Sequence, residues 1–327
     1  MKSAKAKNPA NHLSRRSFLG MSGALVTGMA LPLSAKSFLL PVDEPIIDIH
    51  QHTNYLGRTA EQLLTHQRAM GITHTILLPS GRALQDRAST NYGESNGLEA
   101  QVEPNEAAYQ MAKQYPGEFY FGANEVPDIP KTTKTIEKYL KKGGVVIGEQ
   151  KFNVESDSPE MQKIYELAKE YDVPVLMHWQ HGRFNHGLDR FHKMLEKYPD
   201  VNFIGHAQTW WGNIDKNHTD QTVMYPKGKV TPGGITDRLL SDYPNMFGDL
   251  SAGSGLNSMK RDEEHAKGFL QRHQDKLLYG SDCADLDGLD HTKCQGYQTI
   301  QTVKRLSSSK DIERKILYEN AKRLFKL

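Results

Sequence analysis

Eight times between residue 46 and the C-terminus, a short apolar run rich in β-branched residues gives way to an amphipathic stretch, and this rhythm constrains the fold of the 327-residue chain more than any other feature. The spacing predicts strands over 46–50, 75–78, 119–123, 145–149, 174–178, 202–206, 246–250 and 277–282. Helical patterns lie between them, as at 60–70, 132–142 and 159–171, and a last one covers 311–325. Pro159 suits a first helical turn, where its missing N–H has no intrahelical partner to lose. Strand and helix alternating in this way imply a parallel sheet, and eight repeats imply closure into a (β/α)8 TIM barrel. With 37% hydrophobic residues the chain can fill such a core as a single domain over 36–327. Its mean hydropathy of −0.63 excludes a polytopic membrane protein. Two cysteines exclude a disulfide-built scaffold.

Residues 1–35 read as an address. Arg15-Arg16 stands in the run Ser-Arg-Arg-Ser-Phe-Leu, and the sixteen residues from Phe18 to Leu33 carry no charge. This is the pattern of a twin-arginine signal peptide, too short for a membrane span, with Leu33-Ser34-Ala35 as the cleavage site. No cysteine follows the apolar run, so no lipoprotein anchor is expected. The expected partner is the twin-arginine export machinery, and the expected location is periplasmic or exported. Residues 1–40 hold six basic residues and no acid; without them 35 Lys+Arg face 39 Asp+Glu, a net charge of −4. A mildly acidic body gives no electrostatic footprint for nucleic acid or for stable membrane attachment.

Chemistry gathers where the strands end. The first closes on His50-Gln51-His52, whose alternation points both imidazoles the same way. The fourth ends in Glu149 and Lys151, the fifth in His178, the sixth in His206 and the eighth in Asp282. Any one histidine at a strand end is more often structural. Together, five strands deliver His, His, Glu, His, His and Asp to the carboxyl rim, where barrel enzymes build their sites. Imidazole nitrogen and carboxylate oxygen suit one or two divalent ions, zinc first, with manganese and iron as alternatives.

This order of ligands resembles the amidohydrolase superfamily, in its amidohydrolase-related (amidohydrolase-2) branch, from about Ile46 to the closing Glu319-Asn320-Ala321-Lys322-Arg323-Leu324-Phe325. The resemblance implies that His50, His52 and Asp282 bind the more buried metal. It implies that His178 and His206 bind a second metal, or that one of them polarises substrate. Glu149 would bridge two ions, with Lys151, a carboxylated lysine in some relatives, competing for that role. A homo-oligomer is expected from the resemblance alone.

A bound divalent ion lowers the pKa of water to about 7 and polarises a carbonyl, and Asp282 beside it can carry the proton. The expected reaction is hydrolysis of a C–O or C–N bond in a small-molecule lactone, ester or amide. Decarboxylation of a carboxylated ring is the same-fold rival. A deoxyribonuclease-like reading lacks the basic surface it would need, and a non-catalytic, metal-pinned binding module sits poorly with a poised Asp282. Two long connections, 79–103 and 207–234, would supply walls or lids. Lys151 and Arg183 are candidate clamps for an anionic substrate, and Trp210 either stacks on a ring or pins its loop. His66, His192, His265 and His273 fall in helical patterns and are expected to be exposed. Cys283 and Cys294 join in an oxidising compartment if their Cα atoms come within about 7 Å; otherwise Cys283 packs on the barrel and Cys294 is free.

Overall fold

The computed structural model describes residues 44–82, 97–98 and 101–327. The signal-peptide reading and most of the 79–103 connection lie outside the described residues. Among the described residues, no helix is long and apolar enough to cross a membrane.

The predicted strands form as β1 (Ile47–Gln51), β2 (His74–Leu77), β3 (Phe119–Phe121), β4 (Ile147–Gln150), β5 (Val175–His178), β6 (Phe203–His206), β7 (Met246–Asp249) and β8 (Leu277–Leu278). All neighbours pair in parallel, as β1-β2-β3 and β4-β5-β6-β7-β8. Backbone bonds close both gaps. Ala123 N–H donates to Val146 O at 2.8 Å between β3 and β4, and Ile49 N–H donates to Tyr279 O at 3.1 Å between β8 and β1. The result is the (β/α)8 barrel.

Alternation sorts the side chains. Leu176 and Ile204 face the barrel interior with Ile47, Ile49, Ile76 and Leu278, while Val175, Met177 and Phe203 face the helices. The interior is plugged at one end by Leu324 and Phe325 of the last helix, α12 (Asn320–Phe325). The surrounding helices start where local chemistry directs. In α1 (Ala60–Ala69), Thr59 and Gln62 form a reciprocal capping box; α4 (Pro159–Tyr171) begins with Ser158 as cap and Pro159 in the first turn.

Two strands break the simple period where the site needs it. The β1–β2 register shifts between Asp48 and Gln51, and the β4–β5 register shifts between Ile147 and Gln150. Asp48 and Gln51 therefore both bond Ser281 outside the barrel, which leaves His50 and His52 free to face inward.

The 207–234 connection is not a bare loop. It opens with α6 (Gln208–Gly212), which carries both Trp210 and Trp211 into the core. A Cβ on Gly205 would fall 2.4 Å from Trp210 Cδ2, so the strand has no side chain there and the indole lies flat on it. Trp210 is wholly buried and stacks on Trp179 with ring centroids 5.7 Å apart. Of its two sequence readings, the stacking platform for substrate falls and the pin holds. The expectation of exposed helical histidines is likewise corrected, since His192 and His265 are half-buried and the other two are buried. His66 is buried, since Leu63, His66, Gln67 and Met70 share one inward helical face, and His273 is buried against Asp237 at 2.7 Å.

Candidate metal centre

Five of the six strand-end candidates converge at the carboxyl mouth of the barrel. His50 Nε2 lies 3.5 Å from Glu149 Oε2 and 3.9 Å from Asp282 Oδ1; His52 Nε2 lies 3.7 Å and 3.3 Å from the same two oxygens. The remaining oxygen of each carboxylate turns to His206, whose Nε2 is 3.6 Å from Glu149 Oε1 and 3.7 Å from Asp282 Oδ2. His178 sits at the edge. It offers Nδ1 in a close contact to Glu149 Oε1 and turns Nε2 to Gln180 Oε1 at 3.1 Å.

Three imidazoles are aimed by bonds on their far side. His52 Nδ1–H donates to Leu78 O at 2.6 Å, and His50 Nδ1–H to Asp249 Oδ2 at 2.7 Å. His206 Nδ1 is held by Ser251 Oγ at 2.9 Å, and that hydroxyl bonds Asp249 Oδ2 at 2.6 Å. Each ring thus keeps its Nε2 lone pair for the centre. His50 Nε2, His52 Nε2 and Asp282 Oδ1 are buried with no hydrogen-bond partner. Buried polar atoms are rarely left so, and donors about 3.4 Å apart are what a tetrahedral ion with bonds of about 2.1 Å requires. The residues therefore fit a divalent cation, with His50, His52 and Asp282 as one group of donors that could hold it and His50, Glu149 and His206 as another.

The electrostatics point the same way. Burial alone would raise the Glu149 carboxyl, but His178, Lys151 and His50 hold it well below the ordinary carboxylate range. Asp282 is likewise desolvated, yet His50 and His52 hold it ionised. Burial opposes Asp249 too, and its bonds to His206 and His50 bring it down to about 2. His50 resists its burial because Asp282 and Asp249 pull its pKa well above the imidazole value. His178 goes the other way, to about 4, under burial and the nearby Lys151 charge. Three ionised carboxylates in one buried pocket are a cation's electrostatic complement.

Several functional neighbours escaped the sequence reading. Asp249 ends β7 as the ligands end their own strands, but the predicted strand ran on to Leu250 and hid it. Tyr55 follows His52 at the start of a single 3-10 turn (Tyr55–Gly57); its ring lies 4.9 Å from His52, and Asp282 first, then burial, push its phenol far above the usual value. Gly280 lets the walls close, since a Cβ there would stand 2.5 Å from Asp249 Oδ1 and 2.8 Å from His50 Cβ. Lys151 reaches the neighbourhood, with Nζ 5.8 Å from the Phe184 ring and its charge felt by Glu149 and His178. Arg183 is exposed, its guanidinium 5.7 Å from the same ring. Beside the centre, over the ends of β5 and β6, lies a cavity of about 430 Å³ lined by Gln180, His181, Asn185, Thr209 and Asn213 among others.

A family model described as Amidohydrolase matches residues 47–327. No curated protein matches the chain. Among solved structures, a probable 2-pyrone-4,6-dicarboxylic acid hydrolase from Acinetobacter baumannii is similar at 16% identity and TM-score 0.57, covering 86% of this chain and 99% of that one. A 2,6-dihydroxybenzoate decarboxylase from Rhizobium is 13% identical at TM-score 0.54, covering 86% and 99%. A dihydroxybenzoic acid decarboxylase from Polaromonas, with bound manganese, is 15% identical at TM-score 0.53, covering 87% and 97%. The chain belongs to the amidohydrolase family.

Proposed function

We propose that this amidohydrolase-family chain is a metal-dependent hydrolase that opens a C–O or C–N bond of a small lactone, ester or amide. The observation that carries the reading is the division of oxygens: Glu149 and Asp282 each turn one oxygen to the His50–His52 pair and the other to His206. A carboxylate shared in this way suits two ions, and paired ions serve hydrolytic chemistry. When bound, the metal would supply Lewis acidity at the substrate's carbonyl oxygen and an activated water. Zinc is the first expectation for this N/O set, with manganese and iron as alternatives.

The chain's own residues supply the rest. Asp282, ionised and only 13% exposed, accepts the proton of the attacking water on its carboxylate and returns it to the leaving oxygen or nitrogen. The Asp282 charge and burial keep the Tyr55 phenol protonated beside that carboxylate. Asp249 holds His50 and His206 from behind. Lys151 supplies positive charge toward a substrate anion, and the cavity beside Gln180 receives the rest of the molecule. Export by the twin-arginine pathway, and assembly as a homo-oligomer, remain part of the proposal.

The test is elemental analysis of the chain purified without chelator, followed by assay of a lactone, ester and amide panel. Two ions per chain with hydrolysis lost in Asp282→Asn supports the reading. One ion per chain with release of CO₂ from hydroxylated aromatic acids replaces it with the decarboxylase.

A further inference from the structure

A second donor cluster lies behind the mouth, on the outer side of the strand end that carries Asp282. Cys283 and Cys294 are free and buried, with sulfurs 3.7 Å apart. His66 Nε2 lies 3.4 Å from Cys294 Sγ, and Met70 Sδ lies 3.3 Å from it. The His66, Cys283 and Cys294 donor atoms all fall within 4.8 Å of one another.

The surroundings prepare these atoms as ligands. Gln67 Nε2 donates to Asp48 Oδ2 at 3.0 Å and to Thr75 Oγ1 at 2.8 Å, so its Oε1 must face His66 Nδ1, at 2.8 Å. That acceptor places the ring proton on Nδ1 and leaves the Nε2 lone pair aimed at the sulfurs, as an outer acceptor does for a metal-bound histidine. Cys294 caps α10 (Gln295–Leu306), where Tyr297 N–H approaches its sulfur at 3.4 Å. A backbone N–H directed at the Cys294 sulfur favours its thiolate. A disulfide uses neither the histidine lone pair nor this donor.

We propose that His66, Cys283 and Cys294 form a second metal site for a thiophilic d¹⁰ cation, Zn²⁺ or Cu⁺, distinct from the barrel-mouth centre and independent of what that centre does. The spacing fits. Zinc–sulfur bonds of about 2.3 Å set tetrahedral sulfurs about 3.8 Å apart, and a sulfur and an imidazole nitrogen about 3.5 Å apart. Soft thiolate donors select such ions against magnesium or calcium, and the thioether of Met70 adds a donor that favours Cu⁺. The ion would clasp α1, the segment after β8 and the start of α10 immediately behind Asp282.

Cobalt(II) is the probe, because thiolate ligation produces a near-ultraviolet charge-transfer band that a His/carboxylate centre lacks. The metal-free, reduced full chain titrated with Co²⁺ is expected to show that band. Cys294→Ser should lose the band and one equivalent of bound metal, while Asp282→Asn keeps the band. A wild-type chain without the band overturns the site whatever the variants do. So does an as-purified mass showing the two cysteines joined, or a band that survives Cys294→Ser. Chelator competition then names the ion. Met70→Leu weakening Cu⁺ by about tenfold while sparing Zn²⁺ assigns Cu⁺, and equal affinities assign Zn²⁺.

Discussion

The barrel mouth and the sulfur cluster are joined by the single peptide bond between Asp282 and Cys283, yet they collect opposite kinds of donor. The mouth gathers imidazoles and ionised carboxylates from five strand ends. The cluster gathers two thiols, a thioether and one imidazole from α1, the segment after β8 and the cap of α10. The period of the strand end separates them. Leu278, Gly280 and Asp282 face inward, while Leu277, Tyr279, Ser281 and Cys283 face the helices. One residue of register thus divides hard from soft chemistry, and a change on one side should be nearly silent on the other.

The largest test of that division is Asp282→Asn. Loss of a positioned general base typically costs 10²–10⁴-fold in rate, so turnover is expected to fall by about 10³-fold. The neighbouring thiol site should still give its cobalt–thiolate band. If turnover survives within about tenfold, Asp282 is a ligand and not the proton carrier.

Next comes pH. In the metal-free chain His178 is buried and held at about 4, against 6.5 for an ordinary imidazole. Between those values the unfolded chain binds a proton that the native chain refuses. Stability is therefore expected to fall as pH drops from about 6.5 to about 4 and to level off below, by at most about 3 kcal/mol. Urea midpoints for wild type and His178→Asn across that window check it; the variant should lose that part of the slope. His50 works in a different window. Its raised pKa gives stability that is fully present below 6.5 and lost only as pH climbs through its folded value.

Asp249→Ala should have a smaller effect, confined to the mouth. His50 would lose its acceptor and His206 the carboxylate behind its Ser251 hydroxyl, and metal affinity is expected to fall 10–100-fold. Equilibrium dialysis reads the loss directly; unchanged affinity would mean that packing alone aims the rings. This residue also marks what the sequence displayed and what it concealed. The barrel was legible because apolar periodicity is local, and its candidate ligands were legible because each ended a strand. Asp249 carried the same mark, masked by Leu250 beyond it. His66 was concealed by its type, although Leu63, His66, Gln67 and Met70 trace an inward helical face that a leucine would have made obvious. The sulfur cluster could not be read at all as a set, because its parts lie on segments that meet only once β8 is closed against β1.

Arg183 gives the smallest effect and the finest discrimination. It lies exposed at the turn after β5, with its guanidinium 5.7 Å from the Phe184 ring. Exposed side chains of this kind alter stability by less than about 0.5 kcal/mol when removed, so Arg183→Ala should unfold with wild-type parameters. Its kinetic effect depends on substrate charge. If the guanidinium engages a carboxylate at the cavity rim, KM for a carboxylated lactone should rise about tenfold or more, while a neutral ester is untouched. Equal KM values for both substrates would leave Lys151 as the cation that reads substrate charge, because its field already reaches Glu149 and His178.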